Sequence, residues 1–285
     1  MPDGFEAALS LLPPALRERG SDPAYRARAE EFRLRRGRAP TVLLGEREEP
    51  LGPAPVTDEM LRCVLDAATE SSFHAVTGEL RRGFIAAKGG VRVGVCGTAA
   101  ADGEVRTIRE ISSLSLRVPR QIRDAGKEIL PQLTDASVLI LSPPGAGKTT
   151  FLRELVRALS DGGTRVGLAD ERGEIAAAWR GEPQFDVGRC TDVLSGAPKS
   201  EAAMMLLRGM NPQVIALDEI SDPADAEAVL RIAGCGVRIL ATAHAADVDT
   251  LRLRPRFRAL LEEGIFRKAV VITKNAGRTY RVEAL

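Results

Sequence analysis

Hydrophobic residues follow different patterns before and after about residue 135. In the C-terminal part, short apolar runs rich in β-branched residues alternate with segments whose apolar residues recur every three or four positions. Such runs predict buried strands, and such segments predict amphipathic helices. The predicted strands are 138–141, 165–169, 214–217, 237–242 and 269–273, with 279–282 as an edge strand, and the predicted helices are 147–160, 200–208 and 223–233. This alternation favours an α/β domain with a mainly parallel sheet covered on both faces.

Several boundaries of these helices carry local signals. Ser200 is a candidate N-cap, Gly209 is a candidate end of the same helix, and Ser221-Asp222-Pro223 is typical of a helix start. We therefore expect helices that begin and end close to these residues.

The N-terminal part predicts a different architecture. Runs at 84–87 and 91–96 flank Lys88-Gly89-Gly90, a pattern typical of a β-hairpin. Apolar spacing predicts helices over 5–16 and 58–70, the second capped at Thr57-Asp58, and we expect the segment 37–55, rich in Gly, Pro and charge, to contain an exposed loop. We therefore expect a smaller α+β domain and linker over residues 1–132, followed by the α/β domain over residues 133–285.

Composition and charge give no support to several classes of function. The 40 Lys and Arg residues balance 39 Asp and Glu residues, so the chain lacks the basic excess typical of nucleic-acid binding. The longest uncharged stretch, 136–147, is shorter than the roughly 18 residues of a membrane span. The N-terminus has no basic region ahead of its apolar part, so we expect no secretory signal.

The four cysteines form no C-x-x-C pair, and the chain has two histidines. This pattern argues against a zinc site. We expect reduced, buried cysteines in a cytoplasmic protein. His74 lies in a context that suggests a structural role.

A glycine-rich loop between a strand and a helix carries the main chemical signal. The segment Ser142-Pro-Pro-Gly-Ala-Gly-Lys-Thr-Thr150 is typical of a phosphate-binding P-loop, although Ser142 stands where the pattern has its first glycine. Its glycines let backbone N–H groups surround a phosphate. Lysine would contact the β- and γ-phosphates of ATP, and the first threonine would hold Mg²⁺. The predicted nucleotide-binding residues are Pro144, Gly145, Ala146, Gly147, Lys148, Thr149 and Thr150.

Two further strand ends supply carboxylates. Strand 214–217 leads into Asp218 and Glu219, where the first would help to hold Mg²⁺ and the second would orient or deprotonate water. Strand 165–169 leads into an acidic segment in which Glu171 and Glu174 are candidate catalytic residues and Arg172 is a candidate subunit-bridging or phosphate-binding residue. The alternative is a capped, solvated helix start. Sequence alone leaves Glu171 and Glu219 both open as the general base.

His244 follows the strand 237–242. In RecA-like sheets the strand after the metal-anchor strand lies between that strand and the P-loop strand. His244 would then face the γ-phosphate from the carboxyl edge of the sheet, and we predict a sensor or catalytic role. The alternative is a histidine that caps the next turn.

These segments together resemble a known family. SPPGAGKTTFLREL, DERGEIA, LRGMNPQVIALDEI and ATAHA are similar to the phosphate loop, acidic box, metal-anchor strand and histidine box of type II and type IV secretion ATPases. Within that superfamily they are closer to the stage III sporulation protein AA family. FRLRRGRAP, GELRRGFIAAKGGVRVGVCGT and TIREISSLSLRVPRQI also resemble that family, so the resemblance covers residues 30–285.

The resemblance implies a RecA-like motor that assembles as a hexameric ring with ATP at the subunit interfaces. It implies that the protein energises a membrane channel during endospore formation and is held at its cytoplasmic face by a protein partner, without inserting into the membrane. Arg117 and Arg120, near the domain junction, are either nucleotide contacts or ordinary surface arginines. The alternative functions are a nucleotide-gated assembly scaffold, a nucleic-acid translocase and a small-molecule kinase.

Overall fold

The computed structural model describes residues 3–71, 77–102, 104–274 and 277–285, and it divides into two compact units. The units are Met1–Arg120 and Gln121–Leu285. The division precedes the boundary expected at residue 132, because Ile129 and Leu130 are buried in the core of the second unit. His74 lies outside the described residues.

The first unit is an α+β structure with an antiparallel sheet in the order β3-β2-β1-β6-β5-β4. Its elements are α1 (Gly4–Leu11), α2 (Pro14–Gly20), α3 (Pro23–Arg26), β1 (Ala29–Arg35), β2 (Thr41–Leu44), β3 (Arg47–Pro50), α4 (Asp58–Thr69), α5 (Thr77–Leu80), β4 (Phe84–Ala87), β5 (Val91–Asp102) and β6 (Glu104–Arg117). The predicted hairpin is present as β4 and β5, and the Thr57 side chain caps α4 by accepting from the N–H of Met60.

One expectation for this unit was wrong, and another was incomplete. The helix expected over 5–16 is interrupted at Leu12, where the chain becomes extended before Pro13 and Pro14 begin a second helix. Proline restricts the preceding residue to extended conformations, which explains the break. The segment expected to contain an exposed loop, 37–55, also contains the antiparallel strands β2 and β3, which are joined by an exposed turn at residues 45 and 46.

The second unit has a seven-stranded sheet in the order β13-β12-β7-β11-β10-β8-β9, parallel except for the β12–β13 pair. Its elements are β7 (Val138–Ser142), α6 (Lys148–Asp161), β8 (Val166–Asp170), β9 (Thr191–Ser195), α7 (Lys199–Gly209), β10 (Val214–Glu219), α8 (Pro223–Gly234), β11 (Arg238–His244), α9 (Val248–Arg252), α10 (Pro255–Glu262), β12 (Lys268–Lys274) and β13 (Arg278–Ala284). All six predicted strands and all three predicted helices are present.

Alternate residues of the central strands pack on opposite faces of this sheet. In β7, Leu139 and Leu141 face a core with residues of α7, α8 and α10, whereas Val138 and Ile140 face a core with residues of α6. A two-sided core requires strands that are apolar at nearly every position, which is the pattern of the sequence. The parallel strands therefore end at one edge, where the polar residues after each strand meet.

The structure also contains elements that the sequence patterns did not reveal. Strand β9 is short and half-exposed, and α9 and α10 are short helices that cover one face of the sheet. Ser200 is not the cap of α7, because the helix begins at Lys199 after Pro198. The cysteines are free, as expected, but none is buried: Cys63, Cys96 and Cys235 are exposed, and Cys190 is half-buried.

Among the described residues, no helix is both long and apolar enough to cross a membrane.

Candidate nucleotide site

Two glycines shape the loop between β7 and α6. Gly145 and Gly147 have φ angles of +72° and +107°, a region that residues with a side chain rarely adopt. A Cβ on Gly145 would meet nothing within 4 Å, so the backbone there is open to a ligand. Gly147 is the N-cap of α6 and offers no side chain to the first N–H groups of the helix. These N–H groups and the helix dipole favour an anion such as phosphate.

The other predicted nucleotide-binding residues lie in this loop or in the first turn of α6. Pro144 is exposed, Ala146 is buried, and Thr149 and Thr150 are half-buried. The sequence patterns gave no reason to include Arg278 of β13, yet its Nε atom lies 3.0 Å from where a Cβ on Gly147 would stand. A guanidinium at the start of α6 adds positive charge beside the anion-binding backbone.

A chain of three side chains crosses the carboxyl edge of the sheet. The Nζ atom of Lys148 lies 2.8 Å from Nδ1 of His244, and Nε2 of His244 lies 3.0 Å from Oε2 of Glu219. An ammonium only donates, so Nδ1 accepts and Nε2 donates its proton to the carboxylate. Burial lowers the pKa of Lys148, and the charges of Glu219 and Asp218 oppose that effect.

The order of the strands explains this arrangement. Strand β11 lies between β7 and β10, so His244 pairs in register with Ser142 and stands beside the end of β10. The strand order predicted for a RecA-like sheet is therefore confirmed. His244 links Lys148 to Glu219, since its Nδ1 contacts the lysine and its Nε2 contacts the carboxylate.

Asp218 occupies an irregularity of β10. Leu217 pairs with Ala241 and Glu219 pairs with Thr242, so Asp218 is an extra residue in this strand. Bulges of this kind change the direction of neighbouring side chains and are common at functional sites.

Asp218 is also electrostatically unusual. Burial, followed by the nearby negative charges of Glu174 and Asp170, raises the pKa of the Asp218 carboxyl to about 6, while the charge of Lys199 opposes the rise. A cluster of carboxylates that disfavours its own ionisation is favourable for a cation.

Replacing Asp218 with Asn tests this electrostatic strain. Because the folded-state pKa lies above the ordinary 3.8, folded protein binds the proton more tightly, and the free energy of unfolding falls as the pH rises from about 4 to about 6. Asn cannot ionise, so Asp218→Asn should raise the free energy of unfolding at pH 8 by on the order of 2–3 kcal/mol relative to the unmodified protein, and the gain should vanish below pH 4.

Urea unfolding at both pH values, without nucleotide or divalent cations, measures the effect. Asp249→Asn is the matched control because the Asp249 side chain is 91% exposed on α9. The same stability change at pH 4 and pH 8 would contradict the expectation.

The acidic segment after β8 is a loop folded around a buried carboxylate. Asp170 accepts from the N–H groups of Glu174 (3.0 Å), Ile175 (3.2 Å) and Ala176 (2.8 Å). Buried Arg153 of α6 donates to the carbonyls of Ile175 and Glu174, at 2.5 and 2.7 Å. No helix begins in this loop, so the alternative of a capped helix start was wrong. Because Arg153 also belongs to the helix that follows the glycine loop, it joins the two segments.

The candidate residues of this loop have different surroundings. Glu171 lies 3.3 Å from Nζ of Lys199, Arg172 is exposed, and Glu174 is half-buried close enough to Asp218 to raise its pKa. Glu219, by contrast, contacts His244. The structure therefore brings Glu219 into contact with the Lys148–His244 pair and Glu171 into contact with Lys199.

The two arginines suggested near the domain junction belong to the first unit. Arg117 is exposed in β6, and Arg120 donates to the backbone carbonyls of Arg26 (3.1 Å) and Ala29 (2.9 Å). Arg120 thus has a structural function within that unit, and a nucleotide contact by either arginine stays a prediction.

Comparison with known proteins identifies the family. The sequence matches the family described as sporulation stage III, protein AA, over residues 12–284. Stage III sporulation protein AA of Bacillus subtilis (strain 168) is 34% identical over 257 residues, which cover 87% of this chain and 83% of that protein. The uncharacterized protein ycf45 of Cyanidium caldarium is 30% identical over 152 residues, which cover 51% of this chain and 44% of the relative.

Solved structures of a pilus retraction motor and of an ATPase have a similar fold. The pilus retraction motor PilT with bound ADP gives a TM-score of 0.63 at 18% identity, covering 90% of this chain and 79% of PilT. The ATPase DotB of Legionella pneumophila gives a TM-score of 0.56 at 17% identity, covering 90% of this chain and 76% of DotB. These similarities confirm the predicted RecA-like fold, and the match over residues 12–284 shows that the chain belongs to the stage III sporulation protein AA family.

Proposed function

We propose that this protein is a Mg²⁺-dependent ATPase that works as a ring-forming motor. The observation that carries the proposal is the Lys148–His244–Glu219 chain beside an open, glycine-shaped anion site. A phosphate site alone supports binding only. The Glu219 carboxylate lies 3.0 Å from His244, and His244 contacts Lys148 of the loop. These side chains add groups that can respond to a γ-phosphate and activate water.

The residues at the site fit a nucleotide and its metal ion. The N–H groups of the loop and of the start of α6, together with the Lys148 ammonium, are donors for the β- and γ-phosphates. Thr149 and Asp218 offer a hydroxyl and a carboxylate, the oxygen donors that Mg²⁺ prefers. Bound Mg²⁺ would neutralise phosphate charge during transfer.

We assign the role of general base to Glu219. Its carboxylate accepts the proton of a water molecule as the water oxygen bonds to the γ-phosphorus and the bond to ADP breaks. His244 holds that carboxylate in place through Nε2. Its Nδ1 loses the contact with Lys148 when the lysine turns to phosphate. Glu171, which contacts Lys199, holds the acidic loop, and Glu174 and Arg172 contribute charge at its rim.

The motor assignment has two supports. The fold is that of secretion ATPases, among them a pilus retraction motor, and the family is one of sporulation proteins. We propose a hexamer with nucleotide at the subunit interfaces, located in the cytoplasm and held at the cytoplasmic face of a membrane channel by a protein partner, without nucleic acid.

Two measurements on the purified protein test this proposal. Phosphate release from ATP should require Mg²⁺, and the particle mass should rise from that of a 30.5 kDa chain to that of a ring when a non-hydrolysable ATP analogue is added. Assembly without phosphate release would favour the nucleotide-gated scaffold. Release that requires DNA or RNA and weakens with salt would favour the translocase. A monomer under both conditions at micromolar concentration would exclude the ring.

A further inference from the structure

Lys199, at the start of α7, is a buried cation that the nucleotide chemistry above does not use. Of the six lysines in the sequence, the structure buries Lys148 and Lys199, each 8% exposed. A buried ammonium is costly unless carboxylates and hydrogen-bond acceptors surround it. The partners of Lys199 therefore indicate why it is buried.

The Lys199 ammonium contacts groups from two separate segments. Its Nζ atom lies 3.3 Å from Oε2 of Glu171, 3.5 Å from Oδ2 of Asp225 and 3.3 Å from Oγ of Ser221. The backbone N–H of Lys199 also donates to Oε2 of Glu171, at 3.3 Å. One side chain thus joins the acidic loop after β8 to the turn after β10.

That turn is itself ordered by Asp225. The Asp225 carboxylate accepts from the N–H groups of Ser221 (3.0 Å) and Asp222 (2.9 Å), so the ammonium binds a turn that is already closed. Ser221 is two residues after Glu219. The turn is therefore continuous with the end of β10, where the proposed base is located.

We propose that Lys199 is a positioning residue that links the acidic loop to the turn after Glu219. It thereby holds the residues at the carboxyl edge of the sheet in their positions. The inference rests on the proposed ATPase function for its kinetic consequence, while the link itself is independent of catalysis. Replacing a lysine that only stabilised the fold would lower the stability of the whole unit. A positioning lysine acts on turnover through Glu171 and Ser221.

Kinetics distinguishes these two roles. Lys199→Met should lower the kcat for ATP by about 10²-fold, because small misplacements of reacting groups have effects of this size, while KM changes little. Lys199→Arg keeps a cation at this position and should restore most of the rate. In the double variant Lys199→Met/Glu171→Gln, the loss should be no larger than the greater of the two single losses, because both changes break the same link.

The matched control is Lys268→Met. Lys268 also forms an ion pair, 2.8 Å from Asp135, but it begins β12 at the opposite edge of the sheet. Its removal should leave kcat unchanged. The proposal would be overturned if the fold loss in kcat of the double variant equalled the product of the two single losses. It would also be overturned if Lys199→Met and Lys268→Met lowered kcat equally.

Hydrogen exchange of the nucleotide-free protein tests the link without any activity. Lys199→Met should speed exchange at the amides of residues 199, 221 and 222, and leave β7 and α6 as they are in the unmodified protein. If Lys199→Met does not fold, Lys199→Gln takes its place, since it removes the charge and keeps a donor. Unchanged exchange at these amides overturns the link. Faster exchange in a protein that releases no phosphate would retain the link and refute the ATPase.

Discussion

Replacing Glu219 with Gln is expected to lower the kcat for ATP by about 10²–10⁴-fold, the usual contribution of a general base. The amide keeps the size of the side chain and an oxygen that can still accept from Nε2 of His244, but it cannot take a proton from water. Nucleotide binding should survive, because the phosphate-binding loop is unchanged. Single-turnover phosphate release and equilibrium binding of a fluorescent ATP analogue measure the two properties separately.

Glu227→Gln on α8 is the matched control for this variant. It is the same chemical change at a side chain that is 64% exposed and pairs with Arg231 at the surface. Full activity of the control with loss of activity at Glu219 supports the assignment. A Glu219→Gln protein with the normal kcat would refute Glu219 as the base, and a Glu171→Gln protein that alone lost activity would transfer the role to Glu171.

Replacing Lys148 with Ala is expected to reduce kcat by about 10²–10³-fold, because it removes a preorganised cation from the position where phosphate charge develops. Unlike the change at Glu219, it should also weaken nucleotide binding. The side chain is buried and contacts His244, so its loss also leaves Nδ1 of the imidazole without its donor. Isothermal titration with ATP and Mg²⁺, combined with phosphate release, measures both losses.

Lys127→Ala is the control for charge alone, since its side chain is 75% exposed and pairs loosely with Asp124. It should bind and hydrolyse ATP like the unmodified protein. Normal turnover by Lys148→Ala would remove the basis of the proposed mechanism.

The strands, the glycine loop and the position of His244 follow from the sequence for local reasons. Each strand of the parallel sheet is a nearly continuous apolar run, and Gly145 and Gly147 stand where a strand meets a helix. Parallel strands bring residues that follow them in sequence to one edge, so the strand order was enough to place His244 near the loop.

The acidic loop and the Lys199 link could not be predicted in this way. The sequence after Asp170 has acids followed by apolar residues, which suits a helix start, but the Asp170 side chain satisfies three N–H groups in a loop instead. Lys199 meets partners 28 residues before and up to 26 residues after it, and no spacing rule relates them. The bulge at Asp218 depends on the pairing of β10 with β11, which is likewise a property of the assembled sheet.

The exposed thiols have a practical consequence for the study of assembly. Cys63, Cys96 and Cys235 are accessible and unpaired, so copies of the protein in air can become cross-linked through intermolecular disulfides. Such adducts would imitate a ring in a mass measurement, whereas association that persists in a reductant and follows the nucleotide reports the interface itself. The same thiols are accessible attachment sites for spectroscopic probes, with Cys63 and Cys96 in the first unit and Cys235 in the second.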